Sequence, residues 1–193
     1  MAWLDGARVI AFAHECVGRG HAERLVPMLA ALHATAGTGR AGHLLVDVGP
    51  GSFTGARIGV AAARALGLAW DAPVAGIESD RLVALAALAR RPDWQCVLVS
   101  LDAGRGRLLT RRWTRDGPGA PAMAVVDPSA ARGLAAGVDG ITGAGLALID
   151  APGVDRLALD PDARAAALLP AGWPGLAPSP LYAGGAFGDA GGP

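Results

Sequence analysis

Apolar positions recur along this chain with two alternating spacings, and that alternation predicts an α/β protein. Leu25, Met28, Leu29 and Leu32 follow the helical i, i+3, i+4, i+7 rule, so residues 21–33 read as an amphipathic helix. Pro27 removes one interior hydrogen bond, which calls for a start near Leu25 or a bend there. His43 to Val48 is a short apolar run suited to a buried strand, and the small-residue stretch after it predicts a helix over 54–69, broken by Asp71-Ala72-Pro73. There follow a strand over 73–77 and a helix over 81–90 capped by Ser79 or Asp80. A strand over 95–101 then turns at 102–106 and returns over 107–113. A loop at 115–121 leads to a strand over 122–126. Asp127-Pro128 opens a helix to about Ala136, 140–144 reads as a strand, and Asp160-Pro161 opens a last helix to about Leu169. At the front, Asp5-Gly6 lies between two apolar arms, the pair favoured at the centre of a hairpin over residues 2–12.

Two successive strand–helix groups, with a break near residues 91–95, predict two lobes. The first covers 1–93, the second 94–177, and a Gly- and Pro-rich tail covers 178–193, ordered only where it docks.

Composition narrows the function. The 193 residues carry zero net charge, and every one of the 17 basic residues is arginine. Without a run of like charge there is no basic stripe, which disfavours strong direct binding of nucleic acid. Cys16 and Cys96 are the only cysteines and lack metal or redox spacing, so both read as reduced thiols in a cytoplasmic protein. No apolar run reaches the ~18 residues of a membrane span.

The segment DVGPGSFTGARIGVAAARALGLA, residues 47–69, carries the strongest local pattern. A phosphate-binding P-loop needs Lys after its last glycine, and here Ala56 and Arg57 follow Gly55. The plain reading is a tight turn at Gly49–Gly51 and a helix capped by Thr54; the amides near Thr54 to Ala56 offer weak anion binding at most. Gly55, Gly59, Ala63 and Gly67 recur every fourth residue, a ridge that demands close approach of a neighbouring helix or strand, since interior glycine costs about 1 kcal/mol against alanine. Arg57 and Arg64 read as a solvated face or as ion-pair donors across a subunit contact. His21 has Leu25 where a helical metal pair needs a second ligand. Ser52 lacks a base at motif spacing, Gly143-Ala144-Gly145 is a weak dinucleotide signal, and Asp102 reads as a turn acid.

GRGHAERLVPML at 18–29 and VDVGPGSFTGARIGVAAARALG at 46–67 together resemble the TsaB (YeaZ) family, the non-catalytic subunit of the bacterial machinery that makes threonylcarbamoyladenosine in tRNA. The likeness extends over residues 1 to about 105, and PSPLY at 178–182 resembles the family's C-terminal Pro-x-Tyr signature without the arginine that usually follows. The resemblance implies a two-lobe actin/sugar-kinase/Hsp70-like (ribonuclease H-like) fold whose N-terminal strand is missing here, so an upstream in-frame start is expected. It also implies that helices 21–33 and 54–69 form the contact with a TsaD-like catalytic subunit or with a second copy of the chain. On that reading the interface residues are His21, Glu23, Leu25, Leu29, Thr54, Gly55, Arg57, Ile58, Gly59 and Ala63.

The resemblance further implies a pseudoenzyme that binds no cofactor or metal by itself. ATP or ADP and a metal are left to the assembled complex, which also takes a TsaE-like ATPase and meets tRNA at the adenosine beside the anticodon. Two readings compete with it: an independent enzyme of the same fold, such as a small-molecule kinase or metallopeptidase-like protein, and a phosphate-binding regulator that uses the Gly51–Gly55 loop.

Overall fold

Among the described residues, the predicted alternation of strands and helices is realised in three sheets. The computed structural model describes residues 1–15, 20–37, 39–119, 123–170 and 172–182, so Cys16 lies outside the described residues. Strands β1 (Ala2–Asp5) and β2 (Arg8–Phe12) form an antiparallel hairpin with Asp5 opposite Arg8, which makes Gly6-Ala7 the two-residue loop, one step later than the Asp5-Gly6 centre expected. Only Gly6 takes a positive φ, 57°, the glycine-first form of a two-residue loop.

Helix α1 (His21–Ala36) begins at His21, where the 21–33 reading puts it, and holds Pro27 inside, so of the two alternatives that Pro27 leaves open the start near Leu25 is not taken. Its predicted stripe points inward, with Leu32 buried and Leu25, Met28 and Leu29 half-buried, against the β1–β2 hairpin.

Strands β3 (Leu44–Gly49) and β4 (Val74–Glu78) pair in parallel, and α2 (Phe53–Trp70) connects them. Such a pair needs a helix-length crossover, which the small-residue stretch supplies. The ridge of α2 lies on this sheet. A β-carbon at Gly67 would collide with the Val74 side chain and sit 2.9 Å from the Ala72 carbonyl oxygen, while Ala63 is buried with Val46, Val48 and Val60. Close approach is therefore to strands of the same chain. Ser52, not Thr54, caps α2: its hydroxyl accepts the Gly55 amide at 3.1 Å.

Helix α3 (Ser79–Arg90) incorporates Ser79 and Asp80 as its first residues, and neither serves as its cap. Strands β5 (Cys96–Gly104) and β6 (Arg107–Thr114) form the centre of the large sheet. Beyond β6, β7 (Gly117–Pro118) and β8 (Ala124–Val126) share its far edge. Beyond β5 come β9 (Gly140–Thr142) and β10 (Asp155–Leu157), both parallel to it in sequence along the sheet.

Alternation along β5 builds two cores. Val97, Val99 and Leu101 meet Val83, Ala84 and Ala87 of α3, whereas Leu98 faces Ala131 and Ala135 on the side of α4 (Pro128–Leu134). The break at 91–95 falls between α3 and β5, but α3 packs on the large sheet. The last predicted helix is a 3₁₀ turn over Ala163–Leu168, which Asp162 caps. Among the described residues no helix is long and apolar enough to cross a membrane. Cys96 is a free, half-buried thiol whose pKa burial raises.

The tail docks where it returns to the first half of the chain. Leu176 exchanges both backbone hydrogen bonds with Gly76 (2.7 and 2.9 Å), and the Leu181 amide donates to the Val48 carbonyl at 2.7 Å.

Gly67→Ala is expected to destabilise the chain by about 1–3 kcal/mol, because overpacking outweighs the roughly 1 kcal/mol gain in helix propensity. Gly59→Ala, whose new β-carbon would lie an ordinary 3.7 Å from Val46 Cγ2, is expected to be neutral or stabilising. Urea midpoints at unchanged m-value measure both.

Candidate functional site

The loop between β3 and α2 is the chemical centre of the first half, and it is organised by Asp47. One Asp47 carboxylate oxygen accepts the Gly49 amide at 2.8 Å and the Ser79 hydroxyl at 2.7 Å, which ties the loop to the start of α3. Behind it, Asp80 is almost completely buried and accepts the Trp113 indole N–H at 2.9 Å. Arg111 lies between two acids, 3.2 Å from Asp80 and 3.3 Å from Glu78.

Burial is the largest influence on both aspartates and raises their pKa values. The Glu78 charge adds to the rise in both, while Ser79 and the Gly49 amide oppose it at Asp47 and Arg111 and Trp113 oppose it at Asp80. Outer oxygens of Glu78 and Asp80 are buried without a hydrogen-bond partner among the described residues. These groups carry structure: they hold β3, α3 and β6 in one arrangement.

The other chemical candidates resolve into structural roles. Ser52 is a helix cap, and the Gly55 and Ala56 amides are taken up by Ser52, which leaves little for an anion. Asp102 accepts the Gly104 amide at 2.7 Å in the β5–β6 turn. Gly143 and Gly145 pack against Ser100 of β5, where a β-carbon would collide, so they serve packing. On α1, Leu25 occupies the position a second imidazole would need, and the His21 side chain lies outside the described set. Among the described residues no group of three or more His, Cys, Asp or Glu side chains is placed to hold a metal.

The structure divides the predicted interface residues into two sets. Glu23, Thr54 and Arg57 are exposed; Leu25, Leu29, Gly55, Ile58 and Gly59 are half-buried, and Ala63 is buried. Gly59 and Ala63 face β3, a β-carbon on Gly59 lying 3.7 Å from Val46 Cγ2 and Ala63 being buried beside Val46, Val48 and Val60, so these two are turned toward the chain's own sheet, whereas Gly55 meets only Ser52. The face left outward on α2 carries Thr54, Arg57, Ala61, Arg64, Ala65 and Leu68, and that on α1 carries Val26, Ala30 and Ala34. Leu68 is 88% exposed and Val26 67%. Leu68 and Val26 are not among the predicted interface residues, which combine the glycine ridge with the Leu25/Leu29 stripe of α1 and with Thr54, Arg57 and Ile58 of α2. The available signal was the opposite side of the same helical period.

Arg57 is held in a stack that sequence reading also missed. Its guanidinium lies 3.7 Å from the Phe53 ring centroid, its Nε donates to the Tyr182 hydroxyl at 2.9 Å, and the two rings are 5.0 Å apart.

Comparison with known proteins agrees with this architecture. The family model described as TsaD, tRNA N6-adenosine threonylcarbamoyltransferase, matches residues 13–120. The chain is 34% identical over 121 residues to an Escherichia coli K12 protein named tRNA threonylcarbamoyladenosine biosynthesis protein TsaB, a match covering 59% of this chain and 49% of that protein. The chain thus spans about half the length of this curated relative in the match. Among solved structures, YeaZ from Pseudomonas aeruginosa superposes with a TM-score of 0.69 at 25% identity, covering 86% of this chain and 83% of that one. A second, described as an uncharacterized protein with similarity to peptidase YEAZ from the same organism, gives 0.68 at 25% identity over 85% and 81%. The fold is the actin/sugar-kinase/Hsp70-like α/β fold.

Because burial raises the folded-state pKa values of Asp47 and Asp80, the native chain holds more protons than the unfolded one just above the ordinary aspartate range. This pair therefore stabilises most at acidic pH, and its contribution declines as pH rises through the raised values. Asp47→Asn keeps an acceptor for Ser79 and Gly49 and is expected to flatten that decline, measured as urea-unfolding stability between pH 4 and pH 8.

Proposed function

The chain belongs to the family whose model is described as TsaD, tRNA N6-adenosine threonylcarbamoyltransferase, and from its likeness to the TsaB and YeaZ proteins we propose that it is a non-catalytic subunit in tRNA N6-threonylcarbamoyladenosine formation. In this reading it docks on a TsaD-like transferase and activates it for modification of the adenosine beside the anticodon. A TsaE-like ATPase joins the assembly, and the work is done in the cytoplasm. Nucleotide and metal belong to the assembled complex, and tRNA is met through it, in keeping with a zero net charge and no basic stripe.

The observation that carries the reading is the outward face of α1 and α2. Leu68 and Val26 stand exposed among alanines, a small-residue surface on which a helical partner can pack closely. Asp47, Glu78 and Asp80 each engage an internal partner through one oxygen and lie behind the β3–α2 loop, which supports docking over catalysis.

Leu68→Glu is expected to abolish co-purification with the TsaD-like subunit of the same organism, since an unpaired charge in an apolar contact costs on the order of 2 kcal/mol or more. The variant should unfold at the wild-type urea midpoint, because Leu68 touches solvent. It should also fail to restore threonylcarbamoyladenosine, read by mass spectrometry of tRNA digests, in cells depleted of their own TsaB. Normal co-purification would place the contact elsewhere.

A further inference from the structure

The end of the tail and the α2 face meet at Arg57, and their arrangement goes beyond the docking of two helices. Helix α2 holds Arg57 and Arg64 on its outward face and has no acidic residue anywhere between Phe53 and Trp70. Neither arginine forms an ion pair among the described residues. Of the two, Arg57 alone is fixed. Phe53 covers its guanidinium, and Tyr182, brought there by the Leu181–Val48 backbone bond, accepts from its Nε. The terminal nitrogens of Arg57 make no hydrogen bond within the described residues, so the fork that matches a carboxylate is left over. A long side chain normally loses rotamer entropy when it engages a partner, and the aromatic stack has already confined this one.

We propose that Leu181 and Tyr182 form the rim of the docking surface and present Arg57 as a pre-organised cation to a carboxylate on an acidic partner subunit. The proposal rests on the docking reading above and adds to it the charge of the partner and the role of the tail. Tyr182 is a positioning residue, acting through Arg57. A second copy of this chain fits less well at α2: two α2 helices brought together would oppose arginine to arginine with no carboxylate on either, and the only acid that copy would offer from these two helices is the exposed Glu23 of α1. Leu181 is also wedged in place, because its carbonyl oxygen lies 2.9 Å from where a β-carbon on Gly49 would stand. The tail thus follows the β3–α2 loop closely.

The test is calorimetric titration of the full chain with the TsaD-like subunit at low and high salt, using Arg57→Met, Tyr182→Phe, Tyr182→Ala and Leu68→Glu. Arg57→Met and Tyr182→Ala are each expected to weaken binding about tenfold at low salt and to flatten its salt dependence, and the double variant should lose little more than either single one. Tyr182→Phe keeps the ring and should lose less than Tyr182→Ala. Loss of binding in Leu68→Glu combined with wild-type affinity and salt slope in Arg57→Met would overturn this proposal while leaving the docking face intact. Wild-type binding by Leu68→Glu would overturn the docking face itself. If Arg57→Met changed only self-association, seen by sedimentation without the partner, the acidic-partner assignment would be wrong.

Discussion

The close approach of α2 to the β3–β4 pair constrains the rest of the first half. Gly67 has no room for a side chain against Val74 and the Ala72 carbonyl, and Ala63 is buried beside Val46 and Val60. Once that ridge faces inward, helical geometry decides what faces out: Thr54, Arg57, Ala61, Arg64 and Leu68. The same sheet sets the path of the tail. Gly76 lacks a side chain where Leu176 pairs with it, and a β-carbon there would lie 2.7 Å from the Ala177 carbonyl oxygen. The tail therefore lies against β4 and delivers Tyr182 to the start of α2. One packing decision produces both the apolar face and its aromatic rim.

The two halves of the chain are joined by buried charge as well as by covalent continuity. Glu78 at the end of β4 and Asp80 in α3 converge on Arg111 and Trp113 of β6, while Asp47 at the end of β3 holds Ser79 between them. Buried ion pairs of this kind are weak sources of net stability, since desolvation offsets much of their attraction. Their geometry is demanding, however, and an arrangement in which two acids share one guanidinium specifies how α3 meets the large sheet. Arg81, lying over both Trp113 and Trp173, extends the connection to the C-terminal segment.

Much of this was legible in the sequence because periodicity reports burial directly. The α1 stripe from Leu25 to Leu32, strand β3, the β5–β6 hairpin and the Asp127-Pro128 helix start all follow from local pattern. Elements that depend on tertiary context were not legible. Strand β10 has three residues, too few for a period, and exists because β9 offers an edge. Ser79 and Asp80 resemble helix caps in sequence, but Asp47 and Arg111, distant in the chain, claim their side chains. The glycine ridge announced a close approach without saying to what; the spacing is equally compatible with a partner helix and with the chain's own strands. The Phe53–Arg57–Tyr182 stack joins residues 125 positions apart, which no local signal encodes.

The central claim is that α2 uses opposite sides for two purposes, its glycine ridge for its own sheet and its Leu68 side for a partner. Hydroxyl-radical footprinting with residue-level mass spectrometry reads both sides at once, in the free chain and in its mixture with the TsaD-like subunit. Leu68, 88% exposed, should be oxidised readily in the free chain and protected in the complex, while Val60, 4% exposed, should stay unmodified in both. Equal oxidation of Leu68 with and without a bound partner would contradict the account.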